Sequence, residues 1–336
     1  MPDLEYYVDL LGDERRLGPF LRAIRRTVRR GDVFIDIGCG VGTYALEAKK
    51  AGATVHAVDM NRIAVALARE AGIDAKHGRA EKLRLPKADV VLFEDFGAFG
   101  HTPGLPEVMK VAGRLGRKFL PTRVELWLAP IEGAMMSVAP GLPFDEVGVA
   151  WLRKRWMNEP RRRRIDPKRL MAGGVRVGEI ALDRPLVMEH AGRARCVRSG
   201  TVSALAGWMR VILPAGVVDN RPSRRYTSWY QAIFPFERPL RVKRGEVVEM
   251  RIGVTYGWGP LIWRWKAGNE EGCSLNARPG DLETLRRGSP DWVPAKADRV
   301  ARIVKAMDGK RTAREIARAA GCSVNEVLDA LGRILG

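Results

Sequence analysis

A strand, a glycine-dense turn and a helix in immediate succession most constrain what this chain can fold into. "VFIDI" (33–37) is an apolar, β-rich run, "GCGVG" (38–42) is the turn, and "TYALEAKKAG" (43–52) is a helical stretch that closes on a glycine. "TVHAVD" (54–59), "NRIAVALAREAG" (61–72) and "ADVVLFED" (88–95) continue the alternation. Strands that alternate with helices predict a parallel sheet. Ahead of them, residues 14–30 predict an amphipathic helix, with Leu17, Phe20, Leu21, Ile24 and Val28 on one face and Gly31 as its stop.

Gly38, Gly40 and Gly42 allow the turn to be tight and let a ligand approach the backbone, with the free N–H groups of a helix N-terminus facing it. A dinucleotide fingerprint would need a further glycine at position 43, where Thr43 stands. Asp36 sits inside the strand just before the turn, and "DIGCGVG" resembles the loop of S-adenosylmethionine-dependent methyltransferases of the Rossmann-like type. The resemblance implies S-adenosylmethionine as cofactor, with Asp36, Gly38, Gly40 and Gly42 around it. Asp59 ends the second strand, where a carboxylate can accept both ribose hydroxyls or cap the helix over 61–72. "GRAEKLRLP" (78–86) lies where such folds contact adenine, placing Ala80 against the ring and Glu81 at its amino group, or leaving Glu81 solvated.

After about Pro121 the helical periods fade. "RVELWLAPIE" (123–132), "VVEMRIGV" (247–254) and "LIWRWK" (261–266) alternate, predicting an antiparallel barrel or sandwich. From about 295 the chain is helical again. There, "KRTAREIARAAGCSVNEVLDALGRIL" predicts helix, turn and helix, with Ile316, Ala317, Val324, Val327, Leu328, Leu331 and Ile334 on the apolar face and Ser323 and Glu326 forming a capping box. The expected division is a Rossmann-like domain with its N-terminal helix over 1–120, a β-barrel substrate domain over 121–267, a linker over 268–294 and a helix-turn-helix-like module over 295–336.

"FEDFGAFGHTPGLPEVM" (93–109) carries Glu94 at a strand end, Gly97 three residues on, and Glu107 at the opening of a helix. This arrangement resembles the protein arginine methyltransferase family. The resemblance implies that Glu94 and Glu107 grip a guanidinium, a cation that two carboxylates can hold with bidentate hydrogen bonds. It extends through "LLGDERRL" (10–17), "FLPTRVELWLAPIE" (119–132), "IDPKRL" (165–170) and "YTSWYQAIFPFERPLRVKRGE" (226–246). It places Arg16 against the cofactor's carboxylate and makes Thr227 and Trp229 part of a loop that closes the arginine pocket. The chain also departs from the family. Ser228 stands for a histidine, Asp95 for an aromatic residue, and the spacing from Glu94 to Glu107 is longer. Tyr6 and Tyr7 partly replace a lid helix, and the segment after 132 is short for a dimerisation arm. In the acidic loop, Asp95 reads as a third acid or a surface charge, and His101 as a general base or a surface residue.

Lys and Arg total 58 against 39 Asp and Glu, a net charge of +19 that attracts polyanions without specifying which. "RKRWMNEPRRRRIDPKR" (Arg153 to Arg169) is its densest run, either a solvated loop or a polyanion contact. Cys39, Cys196, Cys273 and Cys322 form no CxxC, which argues against structural zinc and for a reducing compartment. No long uncharged apolar run and no basic-then-apolar start is present, so neither a membrane span nor a signal peptide is expected. The leading expectation is a cytoplasmic, metal-free methyltransferase acting on a guanidinium or other cationic nitrogen of a protein or peptide, with a homodimer as an option. The alternatives are an RNA or DNA methyltransferase using the basic surface and a non-catalytic cofactor-binding regulator.

Overall fold

The computed structural model describes residues 4–133, 156–223, 227–256, 261–274, 302–303, 306 and 311–327. The chain divides into two compact units. One comprises Met1–Trp127, Gly178–Val187 and Trp208–Gln231, and the other Leu128–Val177, Met188–Gly207 and Ala232–Gly336.

The first unit opens with α1 (Leu4–Leu11) and α2 (Glu14–Thr27). It then alternates β1 (Val33–Ile37), α3 (Thr43–Lys50), β2 (Thr54–Asp59), α4 (Arg62–Glu70), β3 (Ala75–His77), β4 (Ala88–Phe93), α5 (Leu105–Leu115) and β5 (Gly116–Leu120). The strands form one parallel sheet in the order β3-β2-β1-β4-β5. Strand order reverses beside β1, and ligands of open α/β sheets bind at such a point, beyond the carboxyl ends of the strands. β1 and β4 read as continuous apolar runs because the sheet is covered on both faces: Phe34, Ile35, Val90, Val91 and Leu92 have no exposed surface. Phe20, Ala23 and Ile24 of α2, Ala45 and Ala48 of α3 and Ala64 and Ala68 of α4 are buried with them.

α2 ends three residues before the expected Arg30, with Val28 extended, because Thr27 and Val28 are consecutive β-branched residues that fit a helix poorly. β3 and β5 were not legible as strands; "AKH" and "GRKFL" are too short and too charged to show a period. Asn61, rather than Asp59, caps α4, its side chain accepting from the Ile63 N–H at 3.0 Å.

β6 (Arg123–Ile131), β7 (Arg161–Arg163), β8 (Val175–Ile180), β9 (Glu189–Arg195), β10 (Gly200–Leu213), β11 (Gly216–Asp219) and β12 (Gln231–Val242) follow, then β13 (Val247–Thr255), β14 (Ile262–Ala267) and β15 (Glu270–Cys273). Two sheets result, β7-β12-β10-β6-β8 with β11 paired to β10, and β15-β14-β13-β9. Neither closes on itself among the described strands, so the antiparallel architecture is two open sheets. Val248, Met250, Ile252 and Val254 are buried as their alternation requires. β15 falls within the stretch that reads as a linker. Its Gly272 leaves room for the Trp265 ring, which a Cβ would meet at 2.2 Å. The rest of that stretch from 275, the segment 134–155 that includes the short arm, and Leu328, Leu331 and Ile334 lie outside the described residues.

In the tail, α6 (Ala313–Ala320) packs Ile316, Ala317 and Ala320 with Ile303, Ala306 and Val327. Ser323 and Glu326 form the expected capping box, with Ser323 N–H donating to Glu326 Oε2 at 2.8 Å and Glu326 N–H to Ser323 Oγ at 3.2 Å. Thr312 and Glu315 form a second box at the start of α6.

Candidate functional site

Parallel register builds the site. Ile37 pairs with Val58 on one side and with Phe93 on the other. The next residue of each strand or turn therefore reaches the same sheet edge: Gly38, Asp59 and Glu94. The glycine turn lies along this edge with positive φ at all three of its glycines, 76° at Gly38, 54° at Gly40 and 84° at Gly42. The three serve different ends. A Cβ at Gly42 would press on Ala68 at 3.1 Å and one at Gly40 on the Tyr7 ring at 3.3 Å, whereas at Gly38 it would meet nothing within 4 Å. Gly38 is the place where the turn faces open space.

Asp59 is held by backbone donors. Its Oδ2 accepts from Gly40 N–H at 2.8 Å and its Oδ1 from Asn61 N–H at 2.7 Å. The carboxylate is thus fixed in direction and keeps further lone pairs for a ligand hydroxyl. Tyr7, from α1, is buried beside the turn, its hydroxyl accepting from Asn61 Nδ2 at 3.0 Å. Burial, with help from Asp59, pushes the Tyr7 phenol up to about 12. Met60, next to Asp59, leaves 63% of its surface exposed, and Ile63 is exposed as well. Ala80 is buried at the start of a short 3₁₀ turn, and Glu81 beside it pairs with Arg79.

Three acids meet behind the turn. Asp36 is fully buried, and neither of its oxygens makes a hydrogen bond of ordinary geometry. Burial pushes its carboxyl up to about 8, the charges of Asp59 and Glu94 add to this, and the Ala45 N–H draws it back a little. A buried acid with two orphaned oxygens is costly in isolation and calls for a donor. Glu94, largely buried, is pushed up to about 7; burial is the main cause, Asp95 adds, and Arg16 and Tyr44 oppose it.

Arg16 is 4% exposed and forms an ion pair with Glu94. Its other guanidinium nitrogen donates to Leu10 O at 2.7 Å. Burial works against its charge, but Glu94, Tyr44 and Asp13 outweigh it and hold the guanidinium protonated. The Tyr44 hydroxyl lies 3.4 Å from the same Glu94 oxygen. Asp13 caps α2 by accepting from Arg16 N–H at 3.1 Å. Its second oxygen accepts from both the N–H (2.6 Å) and the hydroxyl (2.9 Å) of Ser228. The residue in the histidine's place thus reaches the helix that carries Arg16.

Thr227 and Trp229 flank Ser228 and are buried, with Trp229 edge-on to Phe20 at 6.4 Å between centroids. Glu107 lies in the first turn of α5, half-buried, and makes no hydrogen bond or ion pair among the described residues. Arg16, not Glu107, is the group found on Glu94. Asp95 is exposed and 3.4 Å from the Thr102 hydroxyl, and His101 is buried. Among the described residues no cluster of His, Cys, Asp and Glu could hold a metal ion. The donor set suits an organic ligand bearing hydroxyls and a positive charge. Asp59 offers oriented lone pairs, Asp36 has no donor of ordinary geometry, and Met60 offers an apolar face. Tyr44, Asn61 and Met60 had no signal of their own in the sequence; adjacence to Asp59 is the one clue that could have found the last two.

The profile of a methyltransferase domain matches residues 34–117, and that of the arginine methyltransferase oligomerization subdomain matches 123–256. An arginine N(omega)-methyltransferase of Streptomyces achromogenes subsp. streptozoticus is 25% identical over 276 residues, 74% of this chain and 75% of its own length. Protein arginine N-methyltransferase 1 of Dictyostelium discoideum is 24% identical over 286 residues, 74% of this chain and 84% of its own. Among solved structures, Arabidopsis thaliana protein arginine methyltransferase 10 superposes with a TM-score of 0.67 at 17% identity, covering 81% of this chain and 98% of its own. The Trypanosoma brucei protein arginine methyltransferase 1 enzyme–prozyme heterotetrameric complex with AdoHcy gives 0.66 at 19%, covering 80% and 97%.

Proposed function

We propose that this chain, which belongs to the protein arginine methyltransferase-like family, methylates a guanidinium nitrogen of a protein or peptide. It is an S-adenosylmethionine-dependent methyltransferase. The observation that carries the choice of acceptor is Glu94. It stands on the sheet edge beside the glycine turn and already holds one guanidinium, that of Arg16.

S-adenosylmethionine supplies an electrophilic methyl group on a sulfonium. Gly38, Gly40 and Gly42 would admit it, Asp59 would take the ribose hydroxyls, and Ala80, Glu81 and Met60 the adenine. Asp36 and Arg16 would take the charged amino-acid end, an ammonium suiting the orphaned Asp36 and a carboxylate suiting Arg16. Glu94 and Glu107 are assigned to the acceptor, with Thr227 and Trp229 as its wall. A guanidinium is protonated at working pH, so Glu94 acts by gripping it and drawing its charge to one side, which leaves the far nitrogen more nucleophilic. Once methylated, that nitrogen must shed a proton, and a carboxyl near 7 is well matched to receive it.

The matched oligomerization subdomain supports a homodimer, and four free cysteines support a reducing, cytoplasmic setting. The division into a Rossmann-like domain over 1–120, an antiparallel substrate domain from 121, extended from 267 through β15 to Cys273, a linker to 294 and a helical module over 295–336 is proposed as part of this reading. A second reading, methylation of nucleic acid, is favoured by the +19 charge and exposed Arg162, Arg163 and Arg164.

The test incubates the protein with methyl-labelled S-adenosylmethionine and either a cell lysate or free L-arginine, because the Streptomyces relative is named for arginine itself. Label in lysate that is lost to protease, and absent with Glu94→Gln, is expected. Label on free arginine alone would keep the guanidinium and remove the protein. Label lost to nuclease would overturn the reading, and bound cofactor with no transfer would make the chain a regulator.

A further inference from the structure

Asn220 has no exposed surface and lies between the end of β11 and the Thr227–Trp229 loop. Its side chain joins three segments. Oδ1 accepts from Met209 N–H in β10 at 2.7 Å. Nδ2 donates to Ala98 O in the acidic loop at 3.2 Å and to Tyr230 O at 2.5 Å. The Asn220 carbonyl then accepts from Gln231 Nε2 at 2.5 Å. Only one orientation of the amide satisfies an N–H donor and two carbonyl acceptors at once, so the three partners dictate which end is oxygen.

Two of these segments belong to the proposed acceptor pocket. Ala98 is four residues past Glu94, on the loop that leads to Glu107. Tyr230 follows Trp229 and has a φ of 43°, a left-handed conformation that a bulky residue holds only when its surroundings enforce it. A carbonyl anchored to a fully buried amide is such an enforcement. The cofactor edge, by contrast, is assembled by β1, β2 and α4 without any part played by Asn220.

We infer that Asn220 is a positioning residue for the acceptor: its amide fixes the Glu94 loop against the Thr227–Trp229 loop, and so sets where a guanidinium sits. The inference rests on the acceptor reading above. Asn220→Asp is the direct probe. It keeps the size and the acceptor for Met209 N–H, but turns an oxygen toward two carbonyl oxygens. Three quantities are measured on the full chain: cofactor affinity by calorimetry, amide hydrogen exchange, and methyl transfer to a glycine–arginine repeat peptide. Asn158→Asp serves as control, since it makes the same chemical change at a buried asparagine of the other unit.

In Asn220→Asp, exchange at residues 96–102 and 228–231 is expected to rise about tenfold or more, as the loss of buried hydrogen bonds allows. The peptide KM is expected to rise by a similar factor, while cofactor affinity and exchange in β1 and β2 change less than about twofold. Asn158→Asp should leave the peptide KM unchanged. Exchange that rises evenly through the first unit, or a KM that moves equally in both variants, would reduce Asn220 to a structural residue and overturn the inference. If Asn220→Asp does not melt cooperatively, Asn220→Ser takes its place with the same outcomes. If the wild type does not methylate the peptide, the acceptor reading fails on its own, and the exchange pattern still decides whether Asn220 couples the two loops.

Discussion

Asp36 and Glu94 are carboxyls that burial keeps from ionising at their ordinary values, and both stand at the carboxyl ends of their strands. For Asp36 the sign is unusual for an acid. Its folded pKa lies above its unfolded one, so the folded state binds the extra proton. That contribution is complete below the ordinary aspartate range and is lost as pH rises toward about 8. The ligand-free protein should therefore melt at progressively lower temperature between pH 5 and 8, and Asp36→Asn should flatten this slope while weakening cofactor binding. A variant that melts with the wild-type slope would remove Asp36 from the account. Glu94 must be ionised to grip a cation, so kcat/KM should climb about tenfold per pH unit below the Glu94 pKa, near 7 in the free protein, and level off above it. The places of Glu94 just past a strand end and of Glu107 at a helix start were legible, because both follow from the apolar run and the helical period beside them. The Arg16–Glu94 pair was not, since a contact between residues 78 apart leaves no periodic trace.

At the scale of the element, the strand–turn–helix unit was almost fully legible, because glycines at fixed places between an apolar run and a helix admit few conformations. The same three glycines separate into two kinds once their neighbours are known. Gly42→Ala should cost about 1–2 kcal/mol of stability through left-handed strain, with contact against Ala68 in addition. Gly38→Ala should carry similar strain but place its methyl in open space, so cofactor affinity should fall more than for Gly42→Ala. Calorimetry and thermal melting of the two variants separate these effects; equal losses of affinity would contradict the assignment of Gly38 to the ligand side. Short strands such as β3 and β15 escaped notice because three or four residues with only one or two apolar side chains are too few to show an alternation.

For the whole molecule, the parallel-then-antiparallel order could be read from the change in period near Pro121, whereas the return of 178–187 and 208–231 to the first unit could not. That return brings Asn220, Thr227 and Trp229 into the same unit as Glu94. It depends on pairings such as Arg210 with Asp219 that only the folded register reveals. The net charge of +19 predicts binding to a polyanion such as heparin that weakens steeply with salt. If that charge is surface chemistry and not substrate choice, methyl transfer should fall much less than heparin binding between about 50 and 200 mM salt. Parallel losses would tie the basic surface to the acceptor.

The most direct measurement is the identity of the methylated atom. Labelled product is hydrolysed to amino acids and resolved by chromatography and mass spectrometry, with Glu94→Gln alongside. Methyl on a terminal guanidinium nitrogen of arginine, lost in the variant while its cofactor binding persists, is the predicted result. Methyl on any other residue or on a nucleobase, or transfer undiminished by Glu94→Gln, would contradict the claim that Glu94 orients a guanidinium for transfer.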